Sequence, residues 1–195
     1  MESKRTTAIA DPPLAQALFN DTRYAWIWLI VRVYIGWQWF TDGLDKLHTP
    51  AWVGAKAGTF LTMWVTRALT KTQGAHPDVQ GWYAAFLAHV VLPNTVFFSY
   101  LVAFGETAVG IGLILGIFTG IAAFFGTVMN GSYLLAGTVS INPILFAFAS
   151  LLVLAWKTAG YYGVDRYLLP RLGTPWQPGP IEVAQPAPVP IHPTA

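Results

Sequence analysis

The chain contains no cysteine in its 195 residues. That excludes disulfides, thiolate catalysis, Cys-ligated iron–sulfur clusters and Cys-rich zinc sites. Charge is also scarce, at 10% Asp, Glu, Lys and Arg, against roughly 25% in soluble domains. A formal net charge of +2 is too weak to argue for nucleic acid. The only histidines are His48, His76, His89 and His192. No HxxxH, HExxH or paired-carboxylate spacing occurs, so neither a bis-His haem inside a bundle nor a metal site is expected. Walker A, Rossmann and nucleophile-elbow motifs are absent, and no covalently bound cofactor is expected. Nor does an apolar signal core follow the basic Met1–Arg5, because Asp11, Pro12, Pro13 and Asn20 interrupt it. Residues 1–22 therefore read as a cytoplasmic arm.

What the chain has in abundance is apolar and aromatic surface. Hydrophobic residues make up 54%, with nine Trp, eight Tyr and twelve Phe, enough for two interfacial belts. The forty residues from Phe97 to Ala136 hold no Lys, Arg or Asp, and their one acidic residue is Glu106. A bilayer core of ~30 Å takes ~20 apolar residues of helix, so this stretch reads as two spans joined by a short turn. An ionised carboxylate within a span costs at least ~2.5 kcal/mol on insertion scales. Glu106 must therefore face protein and have a partner.

The expected fold is an all-α membrane protein, an antiparallel bundle of four transmembrane helices. The spans fall at about 24–46, 94–116, 120–137 and 142–157, with Asn142–Pro143 a good helix start. Trp26, Trp28, Tyr100 and Trp156 lie towards span ends, as belt residues do. Small residues four apart, Ala108, Gly112, Gly116 and Gly120, suit close helix packing in lipid. The long connection 48–92 holds two amphipathic candidates, Ala51–Leu69 and Val79–Leu92, expected to lie at the interface. Lys4, Arg5, Arg23, Lys157, Arg166 and Arg171 flank the spans on the side of the termini, against Lys46, Lys56, Arg67 and Lys71 on the loop. That bias puts both termini in the cytoplasm and the loop outside. The membrane domain is expected over 23–173, followed by a Pro-rich, disordered tail at 174–195.

Three polar residues stand deep in these spans: Arg32, Glu106 and Asn130. Counting ~1.5 Å per residue from the span ends places them near one depth. An Arg32–Glu106 ion pair is expected, with Asn130 hydrogen-bonded to one member. It would either fix helix register or line a pocket for a quinone head group or a small anion. Arg32, Gly36, Trp39, Gly43 and Lys46 fall on one helical stripe, a face of donors and an aromatic ring. Asp42, Asp45, Lys46 and His48 cluster at the outer end of the first span, as a solvated helix end or a proton-shuttling group.

The same residues carry a resemblance. VRVYIGWQWFTDGLDKL resembles the first helix of the DoxX/DoxD family, and FLAHVVLPNTVFFSYLVAFGETAVGIGLILG its second helix with the Pro-Asn start and Gly-Glu pair. MNGSYLLAG resembles the third helix, and AGYYGVDRYLLPRLG the closing Gly-x-Asp-Arg segment. The resemblance implies a four-helix integral protein of a bacterial or archaeal cytoplasmic membrane. DoxD members are the small subunit of a thiosulfate:quinone oxidoreductase that works with a DoxA subunit. DoxX members are linked more broadly to membrane redox and oxidative-stress complexes. This chain is closer to DoxX, with no DoxA-like domain fused to it. Arg32, Lys46, Glu106, Asn130 and Asp165 are the positions carried over from the family.

Two functional readings follow. In the first the protein is a subunit of a quinone-linked redox system. Glu106, Arg32 and Asn130 are the catalytic candidates, and Arg32, Trp39, Lys46, Asp42 and Asp165 contact the quinone or substrate. Quinone is then the co-substrate, and electrons come from a DoxA-like or other redox partner, since nothing in the chain carries them. In the second it is a non-enzymatic assembly subunit or small-solute passage, including a homo-oligomer.

Overall fold

A computed structural model describes residues 11–173. The arm's first ten residues and the Pro-rich tail lie outside the described residues. Every element among the described residues is helical. Helix α1 spans Pro13–Asn20, α2 Ala25–His48, α3 Thr59–Leu69, α4 Gly81–Phe86 and α5 Thr95–Leu115. Helix α6 spans Thr119–Leu135, α7 Asn142–Leu154, α8 Trp156–Ala159 and α9 Asp165–Leu168.

Helices α2 and α5 run antiparallel, and glycines set how closely. A Cβ on Gly36 would meet the backbone N of Ile114 at 2.9 Å, one on Gly110 the N of Phe40 at 2.5 Å, and one on Gly43 the N of Thr107 at 2.6 Å. Only residues without a side chain let the two backbones come this near. The seam is carried by Gly36, Gly43 and Gly110, none of which belongs to the every-fourth-residue series from Ala108 to Gly120. That series serves other contacts: Gly112 faces Ala122, Gly116 faces Arg32 and Gly120 faces Trp156.

Helix α5 ends at Gly116, whose φ of 68° is left-handed and whose N–H donates to Gly112 O. A tight turn through Phe118, also left-handed, starts α6. Helix α7 packs on α6, and Trp28, Ile35 and Trp39 of α2 share one buried core with Val109, Leu113, Ala123, Leu145 and Leu152. Trp28 is inside this core rather than in a belt. It stacks on Phe19 at 5.5 Å and donates Nε1–H to Leu18 O, tying α1 to the bundle.

The loop differs from two separate interfacial helices. Residues 51–58 are turns, and α3 begins only at Thr59. The second candidate is continuous with the following span: Gly81–Leu115 is one helical run of 35 residues. It passes through a π turn at Leu87–Val91 and a 3₁₀ turn at Leu92–Asn94, where Pro93 has no N–H to continue the ladder. This run is the one helix among the described residues long and apolar enough to cross a membrane by length and composition. Trp52, Leu61, Val65, Val79, Tyr83 and Leu87 give the loop its own core. The loop is anchored to the α6–α7 connection by Trp64 Nε1–H to Thr138 Oγ1 at 3.1 Å and to the last turn of α6 by Tyr83 O–H to Ser132 O at 2.9 Å.

Candidate functional site

Register decides which charges meet. Gly36 is level with Ile114 and Gly43 with Thr107, so Lys46, one turn further along α2, comes beside Glu106. Lys46 Nζ donates to Glu106 Oε2 at 2.5 Å, and Tyr133 O–H donates to Glu106 Oε1 at 2.6 Å. Arg32 lies fourteen residues earlier on α2, about 21 Å away along the helix at 1.5 Å per residue. The expected Arg32–Glu106 pair does not form. Counting depth from the span ends ignored the offset that the glycine seam imposes. Asn130 joins neither residue: it is buried, and its side-chain amide has no partner among the described residues. The stripe from Arg32 to Lys46 is a packing face with a charge at each end.

Around the Lys46 end is a cavity of about 460 Å³, within the ~300–1,000 Å³ usual for small-molecule sites. Trp39, Trp52, Phe60, Trp64 and Tyr133 supply its aromatic wall, and Asp42, Asp45, Lys46 and Glu106 its charges. Tyr133 bridges Trp39 and Trp64, with ring centroids 6.4 and 6.1 Å apart. Lys46 Nζ lies 5.3 Å from the Trp52 ring centre, within cation–π range. Burial is graded: the Glu106 side chain is 2% exposed and that of Lys46 20%, so the ammonium leads from the carboxylate towards the opening. Asp42 is near enough for its charge to act on both Glu106 and Tyr133. The proposed contacts Trp39, Lys46 and Asp42 are thus gathered with Glu106, while Arg32, Asn130 and Asp165 are not among the lining residues. Sequence reasoning missed Tyr133. Gly126, Asn130 and Tyr133, spaced four and three apart, put it on the α6 face turned to Trp39.

At the other end of the bundle Arg32 and Asp165 form a closed lock. Asp165 accepts hydrogen bonds from Phe118 N at 2.6 Å and Thr119 N at 2.8 Å, capping the first N–H groups of α6 from a distant segment. Val164 N donates to Leu115 O and Asp165 N to Gly116 O, clipping the closing segment onto the α5–α6 turn. Arg32 Nη2 donates to Tyr162 O at 3.1 Å, and a Cβ on Gly116 or Gly163 would collide with Nη1. The guanidinium Nε and Nη1 have no hydrogen-bond partner among the described residues, and a cleft of about 510 Å³ lined by Phe118, Thr119 and Asp165 opens at this end without Arg32 among its lining residues.

The DoxX family model matches residues 27–138, from α2 through the loop to the end of α6 and including Lys46, Glu106 and Tyr133. The chain belongs to the DoxX family. Its membrane character agrees with the surface of the bundle. Trp26, Ile30 and Trp37 on α2, Phe97 and Phe104 on α5, and Ile121, Phe124 and Phe125 on α6 are all more than half exposed. That apolar surface suits lipid and not water. The closing segment with Asp165 lies beyond the matched stretch. No curated protein and no solved structure matches the chain.

Proposed function

We propose that this DoxX protein is the integral membrane subunit of a quinone-linked redox system and that the cavity beside Lys46, Glu106 and Tyr133 receives the quinone head group. The observation that carries the reading is the bonded trio on an aromatic wall. Lys46 keeps two N–H for a carbonyl oxygen beyond the one it gives Glu106, Tyr133 would donate its single O–H to the ligand by turning it away from Glu106, and Trp39 and Trp64 offer aromatic surface to a planar ring. Charge argues for a neutral ligand over a free oxyanion, because three carboxylates face one ammonium. Electrons come from a partner subunit that acts on a reduced donor, thiosulfate in the nearest functional analogy. The roles first given to Arg32, Asn130 and Asp165 pass to Lys46 and Tyr133.

In this reading α2, α5, α6 and α7 with α8 are the four spans. Helix α2 has the length, at 24 residues, but carries Arg32, Asp42, Asp45 and Lys46. It crosses only because those charges face the lock and the cavity. Both termini lie in the cytoplasm and the cap of α3 and α4 outside. A cysteine at the exposed Gln73 then reacts with an impermeant thiol reagent in intact cells; labelling only after lysis reverses the orientation. The ligand reading is tested by titrating menadione into the purified protein in nanodiscs. Saturable quenching of the cavity tryptophans is expected, and none up to the solubility limit overturns it. Co-purification in mild detergent tests for the redox partner, and a homo-oligomer alone favours the assembly role.

A further inference from the structure

The cleft of about 510 Å³ at the start of α6 differs from the cavity beside Glu106 in having an almost wholly apolar wall. Ile121 and Phe124 on the first turns of α6, Val153 and Trp156 about the α7–α8 junction, and Leu169 and Leu172 on the closing segment supply it. Ile121, Phe124 and Leu172 are each more than half exposed, and the first two belong to the face of α6 turned to lipid. The cleft is thus continuous with the lipid-facing surface. Two polar side chains stand in the wall, those of Asp165 and Thr119. The Asp165 carboxylate is spent on the N–H groups of Phe118 and Thr119. The Thr119 hydroxyl is fully buried and has no partner among the described residues. A buried hydroxyl in an apolar wall calls for one polar atom of an occupant. Charge around the mouth has one sign. Between Trp156 and Gly173 the chain carries Lys157, Arg166 and Arg171, and its one carboxylate is that of Asp165. Lys157 donates to Asn20 Oδ1, and Arg166 lies over the Tyr161 ring, 4.8 Å from its centre. The exposed Arg171 makes no bond to a described residue. It shares one 3₁₀ turn with Leu169 and Leu172, so its backbone is within about 4 Å of both along the axis.

We propose that this cleft holds one anionic phospholipid. An acyl chain lies along Ile121, Phe124 and Val153, an ester carbonyl accepts from the Thr119 hydroxyl, and the phosphate meets the Arg171 guanidinium. The residues follow the order of the lipid's own parts. Arg171 belongs to the segment clipped onto the α5–α6 turn, and Thr119 is the first residue of α6. Phe124 is five residues further along the helix, about 7.5 Å deeper. A zwitterionic head would bring an ammonium among three cations with no free carboxylate to receive it, so a head group of net negative charge is selected. The inference rests on this cleft and not on the quinone reading, whose cavity lies at the other end of α2.

The test is native mass spectrometry of the full chain, delipidated in mild detergent and titrated with phosphatidylglycerol or with phosphatidylcholine of the same acyl chains. One phosphatidylglycerol per chain is expected, held about fivefold more tightly than phosphatidylcholine, the worth of one basic residue at a head group. Arg171→Gln should remove that preference. Thr119→Val keeps the shape, deletes the hydroxyl and should weaken both lipids alike, by about fivefold. Ile121→Trp fills the mouth and should abolish retention. Ile30→Trp, at an exposed site on α2 outside the cleft, should retain lipid as the wild type does. Arg171, Ile121 and Ile30 are exposed, and unchanged melting confirms that their variants fold. A preference that survives Arg171→Gln, or equal retention in Ile121→Trp and Ile30→Trp, overturns the proposal. So does retention of no lipid, the result if residues 174–195 fill the cleft, or retention only by a dimer, the result if a second copy completes it. Glycerol phosphate bound as tightly as the lipid would assign the site to a soluble phosphate and overturn it too. Menadione titrated into the same samples tests the quinone reading separately, so either idea can fail while the other stands.

Discussion

The two ends of α2 each hold a cation deep in an apolar bundle, and they treat it in opposite ways. Arg32 is packed against backbone: Tyr162 O accepts from Nη2, Gly116 and Gly163 lie against Nη1, Asp165 spends its carboxylate on capping α6, and Nε and Nη1 have no partner among the described residues. Lys46 is held by side chains, partly exposed, beside open space. Buried charge by itself therefore does not mark a ligand site in this fold. Where the chain closes on the charge with main-chain groups it is fixing the packing, and where side chains bond to each other around a cavity a ligand can replace or join them.

The largest expected effect is at the closed end. Asp165→Leu removes the α6 cap and leaves Arg32 buried without its nearby anion. Truncating one member of a buried charge cluster costs about 3–5 kcal/mol. Its melting temperature in detergent should fall furthest of all the variants, and a wild-type melt would mean that the lock is idle. Next comes the seam between the ends. Gly43→Ala drives a methyl into the Thr107 backbone and is expected to cost about 1–3 kcal/mol. Gly105→Ala meets only Met129 Sδ at 3.5 Å and should be near neutral. Equal melts for the pair would refute the register that places Lys46 beside Glu106.

At the open end the effect on stability is smaller. Tyr133→Phe deletes one hydrogen bond to a charged acceptor, worth about 1.5–3 kcal/mol, and part of that is recovered because Lys46 still holds Glu106. The smallest effect belongs to the surface pair Asp21 and Arg23, linked at 2.6 Å. Hydrogen bonding from Arg23 lowers the Asp21 carboxyl below its ordinary 3.8. A depressed folded value means the contribution is present above 3.8 and lost as pH falls through the lowered one. Asp21→Asn should melt slightly below wild type at neutral pH, and the two melts should converge as pH falls through the lowered Asp21 value; a gap that persists in acid would contradict this.

Much of the helical layout was legible, because apolar runs, Pro-Asn starts and glycine stops are local signals. Glu106 could be picked out by its improbable depth, Trp39 and Lys46 by the helical stripe they share, and Asp42 by the polar cluster at the end of the first span. Their partners could not. Pairing depends on the offset between α2 and α5, and that offset is set by which glycines meet which backbones. A one-turn difference moves a charge by about 5 Å. Tyr133 stayed hidden because a tyrosine near a span end reads as a belt residue. The connection 48–92 was read as interfacial helices, whereas the turns at 51–58 and helix α3 bring Trp52, Phe60 and Trp64 to the cavity wall.

The central claim is that quinone binding belongs to the Lys46 end and not to the Arg32 end, and menadione affinity across four proteins in nanodiscs tests it most directly. Lys46→Met and Tyr133→Phe should each weaken binding about tenfold, the worth of one good polar contact, in protein that still folds. Arg32→Lys should lower the melting temperature and leave the dissociation constant at the wild-type value. Weakened binding in Arg32→Lys, with Lys46→Met and Tyr133→Phe unchanged, would contradict the account.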